Sequence, residues 1–205
     1  MFLFRVQMPE TPGSLGRVAT AMGSVGANIF ALEIVDRTPG AAVDDFLVDL
    51  PEEVLPDSLI AACQAIGGVK ILWVSRAHSA WTISSDIELL NSMADHPEHA
   101  KAILTSDAPT VFHSSWAVLL DATRHVVQSS STAPEFTAEG LAALGDLNEV
   151  RAVDLPDGWM PYYGESLVAI APLTDGHAIV VGRQGGPEYL PSELTRLRHM
   201  AALAG

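Results

Sequence analysis

The first 76 residues alternate between two hydrophobic periods, and this alternation constrains the fold more than any other feature of the sequence. Apolar residues at every second position predict a strand with one buried face at 1–8. Apolar residues three and four apart predict a helix at 14–25, and Gly26 ends it. The rest of the segment predicts a strand, a strand, a helix and a strand at 28–37, 43–50, 57–66 and 69–76. The third of the four strands places Asp45 and Asp49 on its solvent side.

This order of elements predicts the class of fold. A chain that runs strand, helix, strand, strand, helix, strand can cover one face of an antiparallel sheet with both helices. That arrangement is the ferredoxin-like split βαβ fold, with βαββαβ order, and it belongs to the α+β class.

Two short motifs in this segment carry a resemblance to a known family. They read Pro12-Gly13-Ser14-Leu15-Gly16-Arg17-Val18 at the first turn and Gly26-Ala27-Asn28-Ile29 at the start of the second strand. With the element order, they make residues 1–76 resemble an ACT domain, the small-molecule regulatory module attached to many enzymes of amino-acid metabolism. The resemblance implies a homodimer in which an effector binds between two copies of the domain.

The first turn is a candidate binding site for an α-amino acid. The N-terminus of a helix offers unpaired N–H donors and a positive dipole end to a carboxylate. Gly13 allows close approach of the backbone, Ser14 is placed to cap the helix, and Glu10 offers an acceptor to an ammonium group. The resemblance implies a ligand-binding set of Glu10, Thr11, Gly13, Ser14, Leu15, Asn28 and Ile29. The alternative is that these residues form only a tight turn and a cap.

The rest of the chain has a different pattern, after a linker predicted at 77–84. For residues 85–205 the sequence predicts helices at 86–94 and 97–104, strands at 116–121 and 125–129, a helix at 137–144, strands at 150–155, 166–173 and 177–182, and a closing helix from Ser192. Helices first and last, with Val181-Gly182-Arg183 leading through Pro187 to the closing helix, resemble a GAF-like domain. The resemblance implies an α/β sandwich that holds a ligand on the sheet face away from these helices.

A second candidate pocket lies in this part of the chain. Trp159, Tyr162 and Tyr163 belong to its densest aromatic cluster, and Arg183 is available for an anionic group. Aromatic residues beside a sheet are equally typical of a lid that fills the sandwich and binds nothing.

Composition excludes several functions. A formal charge of −14 argues against nucleic acid, whose phosphates need a basic surface. Apolar runs far shorter than about 20 residues argue against a membrane span and favour a cytoplasmic protein. Cys63 lies on an apolar helical stripe, where a buried and inert thiol is the usual outcome. His96 and His99 lack further ligands at metal spacing, so we predict no metal site. We also predict no cofactor and no catalytic residue.

These observations predict a non-catalytic regulatory or sensor protein. It binds a small molecule, with an amino acid favoured, across an ACT-mediated dimer. The alternative is a regulatory subunit or interaction protein that docks on a partner enzyme of amino-acid metabolism and binds no free ligand. A small enzyme that uses the aromatic pocket is a third hypothesis, and only the residues around Trp159 and Arg183 favour it.

Overall fold

The chain divides into two compact units, Met1–Thr82 and Ile83–Gly205. A computed structural model describes residues 1–76 and 83–205. Most of the predicted linker at 77–84 therefore lies outside the described residues.

The first unit has the predicted order of elements. They are β1 (Phe2–Pro9), α1 (Ser14–Ser24), β2 (Asn28–Thr38), β3 (Ala41–Asp49), α2 (Pro56–Gln64) and β4 (Lys70–Arg76). The four strands form an antiparallel sheet in the order β2-β3-β1-β4, so β2 and β4 are its edges. Gly13, with φ 86°, occupies the N-cap of α1, and Ser14 is the first helical residue rather than the predicted cap.

Both helices of this unit pack on one face of the sheet. Val18 of α1 and Cys63 of α2 are fully buried against Phe4 and Phe46, which are paired on β1 and β3. Complete burial of one such aromatic side chain contributes about 1.5–3 kcal/mol to folding. Cys63 is buried in the core, as the sequence predicted, and this burial raises the pKa of its thiol to about 11.

The opposite face of the first sheet carries a buried ion pair. Arg5 donates two hydrogen bonds of 2.8 Å, from Nε and Nη2, to the two carboxylate oxygens of Asp45. Glu33 and Trp73 extend the same row across β2 and β4. The expectation that Asp45 faces solvent was therefore wrong, because its carboxylate compensates the buried guanidinium of Arg5.

The second unit begins with two helices. They are α3 (Ile83–Asp95) and α4 (Ala100–Val111), joined by a short 3-10 turn (Pro97–His99). The remaining elements are β5 (Trp116–Leu120), β6 (Val126–Ser129), α5 (Ala138–Ala143), β7 (Arg151–Leu155), β8 (Ser166–Pro172), β9 (Ala178–Gln184) and α6 (Pro191–Ala204). The strands form an antiparallel sheet in the order β6-β5-β9-β8-β7. Helix α4 runs well beyond its predicted end at residue 104, because Leu104, Ala108 and Val111 continue its buried stripe.

Both faces of this second sheet are covered. Helices α3, α4 and α6 pack on one face, against Ala117 of β5 and Val181 of β9. Trp116 and Val180, on the opposite face of the same strands, pack against Trp159 and other residues between the strands. Strand β5 is consequently buried along its whole length and β9 along all but its last residue, Gln184, in keeping with their apolar sequences.

Arg183 joins three parts of the helical face. Its Nη2 donates to Glu193 Oε1 of α6 at 2.5 Å and to the carbonyl of Phe112, after α4, at 2.8 Å. Its guanidinium carbon lies 3.9 Å from the ring centroid of Tyr189. Glu193 in turn accepts from the Leu190 backbone N–H at 2.8 Å, which caps the start of α6. One buried arginine thus fixes the end of α4 and the start of α6 on β9.

We expect Glu193→Ala to destabilise the protein by about 3 kcal/mol or more, because it leaves Arg183 buried without its counter-charge. Urea unfolding followed by tryptophan fluorescence measures the loss as a lower transition midpoint. Glu188→Ala is the matched control, since that side chain is exposed in the same segment and should change stability by under about 0.5 kcal/mol. Equal midpoints for the two variants would contradict this assignment.

Candidate functional site

The first turn is held by its own side chains. Thr11 and Ser14 share a hydrogen bond of 2.8 Å between their hydroxyl oxygens, and Arg17 Nη2 donates to Ser14 Oγ at 3.0 Å. The Ser14 N–H donates to the Thr11 carbonyl at 3.1 Å. The buried Ser14 hydroxyl is therefore engaged within the turn, and it positions the start of α1 rather than facing outward.

Gly13 leaves the space in front of this helix start open. Its φ of 86° lies in the left-handed region, which favours glycine. A Cβ built on Gly13 would meet no atom within 4 Å, so the residue is needed for its conformation and not for lack of room. The first N–H groups of α1 lack helical partners, as at any helix start, and they can meet an anionic group here. Leu15, half-buried, follows on the first helical turn.

Glu10 lies beside the turn and already has a charged neighbour. Its Oε1 is 3.8 Å from Nη1 of Arg37, and both side chains are exposed. The Glu10 N–H donates to the Gly40 carbonyl at 3.2 Å, which ties the turn to the β2–β3 hairpin. The carboxylate that we predicted to receive an ammonium group is therefore partly compensated by an arginine of the same chain.

The structure places Asn28 and Ile29 at the opposite end of the sheet from the turn. Asn28 is paired with Asp49 at one end of β3, whereas Pro9, next to the turn, is paired with Ala41 at the other. Eight residues of strand separate the two ends, or about 26 Å at 3.3 Å per residue. The candidate residues thus form two halves, and one chain does not bring them together.

Asp44, which the sequence pattern did not single out, lies between the two halves on β3. It is paired with Val6 on one side and Ile34 on the other, facing the helices, and only 3% of it is exposed. Its Oδ1 has no hydrogen-bond partner among the described residues. Burial raises the pKa of Asp44 to about 6, against the opposing attraction of Arg37. The sequence did contain a signal for this buried aspartate. Successive side chains of a strand point to opposite faces, so one of the two adjacent aspartates must face the core.

The aromatic cluster of the second unit fills the sheet face away from α3, α4 and α6. The rings of Trp116 and Trp159 stack at 6.2 Å, and Tyr163 meets Trp159 edge-on at 6.1 Å. Trp159 Nε1 donates to Ser166 Oγ at 3.1 Å. Tyr162 instead lies fully exposed on a turn, with φ 67°. These contacts favour the second of our two interpretations, a lid that fills the sandwich.

Arg183 does not join this cluster, which corrects the pocket predicted from the sequence. Its side chain leaves β9 on the same face as Val181, toward the helices. Trp159 packs on the other face, against Val180. Alternation along β9 separates the two groups, and the contact with Glu193 engages the guanidinium fully.

An open cavity of about 420 Å³ lies at the edge of the second sheet. Its lining includes Asp154, Glu165 and Glu188, together with the backbone of Gly185 and Gly186, and no basic side chain. The cavity therefore does not suit an anion.

The described residues contain neither a metal-binding cluster nor a membrane-spanning helix. No group of three or more histidine, cysteine, aspartate or glutamate side chains is arranged there to hold a metal ion. Within the same residues, no helix has the length and apolar character needed to cross a membrane.

Comparisons with known proteins give partial similarities. No family model matches the chain. A stretch of 71 residues is 38% identical to NAD-dependent malic enzyme 1 of Bacillus subtilis (strain 168). This match covers 34% of the chain and spans only 16% of that enzyme.

Two solved structures are similar at low sequence identity, and both are GAF domains. One is the GAF domain of an Acinetobacter phosphoenolpyruvate-protein phosphotransferase, with 13% identity, a TM-score of 0.42, and coverage of 62% of this chain and 92% of that one. The other is assigned to a sensor histidine kinase of Pseudomonas syringae pv. tomato, with 17% identity, a TM-score of 0.38, and coverage of 60% and 84%.

We expect Asp44→Asn to stabilise the ligand-free protein by about 2–3 kcal/mol at pH 7, because an amide carries no charge into the buried position. The unfolded aspartate releases its proton near its ordinary pKa of 3.8, whereas the folded one retains it to about 6. Wild-type stability therefore falls as pH rises through this window, and the advantage of the variant should vanish near pH 4.

Urea unfolding at several pH values between 4 and 7 measures this difference. Asp49→Asn is the control, since Asp49 is exposed at the end of the same strand and should show no such pH-dependent gain. A gain for Asp44→Asn that stays constant with pH would contradict the prediction.

Proposed function

We propose that this protein is a non-catalytic regulatory or sensor protein that binds a small molecule, with an amino acid favoured, at a site shared by two copies of its ACT-like first unit. The supporting topology is the antiparallel order β2-β3-β1-β4 with βαββαβ connectivity, which is that of a split βαβ fold. The proposal rests on one observation. The turn and Asn28 lie at opposite ends of the sheet in one chain, so a site that uses both needs two chains.

The turn supplies the anion-binding half of the proposed site. Open space in front of Gly13 gives a carboxylate access to the N–H groups at the start of α1, where the helix dipole also favours negative charge. Asn28, exposed at the start of β2, supplies a side chain that both donates and accepts hydrogen bonds. An α-amino acid has the complementary groups within a few ångströms of each other.

Edge strand β2 offers a way to join the two halves. Its side chains Phe30, Leu32 and Ile34 are 56%, 41% and 46% exposed. So many exposed apolar side chains are unusual on an edge strand. If two copies pair β2 antiparallel around a two-fold axis near the middle of the strand, Asn28 of the partner subunit comes opposite Thr38, at the turn end of the sheet. The same pairing covers the apolar residues of both strands.

We assign the second unit, residues 83–205, to a GAF-like sandwich with a supporting role. Three helices on one face of its sheet support this assignment. The aromatic cluster occupies the face that the resemblance reserves for a ligand, so we place the ligand in the first unit. The stretch shared with a much longer malic enzyme is in keeping with a regulatory module that also occurs within metabolic enzymes.

The binding half of this proposal is tested by thermal shift against the twenty amino acids. At a concentration 100 times its Kd, a ligand stabilises the folded protein by about 2.7 kcal/mol, and at least one amino acid should do so. Gly13→Ala should abolish the response, because it strains the left-handed turn and adds a methyl group in front of the helix start. Gly16→Ala is the control, since a Cβ on Gly16 meets no atom within 4 Å inside α1.

If none of the twenty amino acids shifts the wild-type melting curve at millimolar concentration, amino-acid binding is excluded. Loss of the response in Gly16→Ala as well would exclude a specific role for Gly13.

The dimer is tested by light scattering. The wild-type chain should have twice its mass of 21.7 kDa in solution. Leu32→Glu should give a monomer, because it places a charge in the apolar pairing strip. Val127→Glu is the control, because Val127 is also an exposed apolar residue on an edge strand, β6 of the other unit. A monomeric wild-type protein would contradict the dimer and favour the docking of β2 on a partner enzyme.

A further inference from the structure

One carboxylate oxygen of Asp44, Oδ1, has no hydrogen-bond partner among the described residues. A buried hydrogen-bonding atom that is left unpaired costs about 1–3 kcal/mol, and more when the group is charged. Oδ1 of Asp44 is such an atom among the described residues, in the middle of a well-packed sheet. Folded proteins retain few groups of this kind, and each requires an explanation.

The charged groups around Asp44 leave it uncompensated. Asp45, next to it on β3, points to the opposite face and is paired with Arg5. Arg37 attracts the charge of Asp44 and Glu10 repels it less strongly, and these two side chains pair with each other, with Nη1 of Arg37 3.8 Å from Oε1 of Glu10. The negative charge of Asp44 therefore remains without a counter-charge. A ligand group that compensates it must be a cation that also donates hydrogen bonds.

The edge of the sheet provides an approach to this carboxylate. Ile34 on edge strand β2 is directly opposite Asp44 on the same face, and 46% of it is exposed. Paired side chains on one face stand about 4.5–5.5 Å apart, so the partly exposed side chain of Ile34 lies between Asp44 and the edge of the sheet. Because Ile34 stands on the same sheet face as Asp44, whereas two β2 strands pair through their backbone edges, a shift of that side chain opens a path to the free oxygen from the sheet face and not from the paired edge.

We propose that Asp44, and not Glu10, receives the primary ammonium group of the ligand. The assignment of the remaining contacts rests on the function proposed above, in which the turn binds the carboxylate. Asp44 then determines specificity: it selects compounds with a free primary amine, and it rejects the same compounds once the amine is acylated, because acylation removes the charge and two of the three donors.

The test is a thermal shift titration of the full-length wild type, Asp44→Asn and the control Asp49→Asn at pH 7. The probes are the amino acids, their N-acetyl derivatives, and the simple amines methylammonium, ethanolamine and putrescine. Asparagine has the shape of aspartate without its charge, and the unliganded melting curve of Asp44→Asn shows directly that it folds. We expect Asp44→Asn to bind the effective amine at least tenfold more weakly, Asp49→Asn to match the wild type, and N-acetyl derivatives to have no effect.

The outcomes separate this proposal from the function on which it rests. An amino acid that binds wild type and Asp44→Asn equally would overturn the role of Asp44 and leave the proposed function intact. Simple amines that stabilise the wild type but not Asp44→Asn, with no effect of any amino acid, would support Asp44 and overturn the amino-acid assignment. No response of the wild type to any amine would overturn both.

Discussion

The pairing of β3 with its two neighbours is the constraint on which the account depends. Phe4 opposite Phe46 in the core, and Arg5 opposite Asp45 on the other face, set the register of β1 against β3. A slip of one residue would turn the aromatic ring to the wrong face and separate the ion pair, so alternative registers are strongly disfavoured. This register fixes the first turn at one end of the sheet and Asn28 at the other, and a site that needs both must include a second copy of the chain.

The two units differ in how fully other residues cover their sheets, and this difference is the reason for placing the ligand in the first unit. The second unit fills one face with helices and the other with stacked aromatic rings, and Arg183 with Glu193 locks the helical side. Trp159 and Arg183, two of the residues that the sequence offered as a site, are hydrogen-bonded within the unit. The first unit instead retains an apolar edge strand, an open helix start and the uncompensated carboxylate of Asp44.

Hydrophobic period was sufficient to predict the order of elements, because each strand and helix of the first unit buries one face. It was insufficient where partners come from distant parts of the chain. The side of the sheet taken by Arg183 depends on Glu193 and on carbonyls after α4, none of which is visible from its neighbours in sequence. Asp45 looked solvated for the same reason, since its partner Arg5 lies forty residues away. The seven residues of the candidate site were chosen as one set, but strand register, which local pattern does not supply, divides them into two halves.

The shared site is tested most directly by mixing two inactive variants. Gly13→Ala lacks the turn half and Asn28→Ala lacks the other half, so neither homodimer should bind the amino acid that stabilises the wild type. When the two chains are co-refolded in equal amounts, about half of the dimers are mixed, each with one intact site, so about a quarter of the wild-type binding capacity should return in a calorimetric titration. A mixture that binds no more than the separate variants would contradict a site formed between two chains.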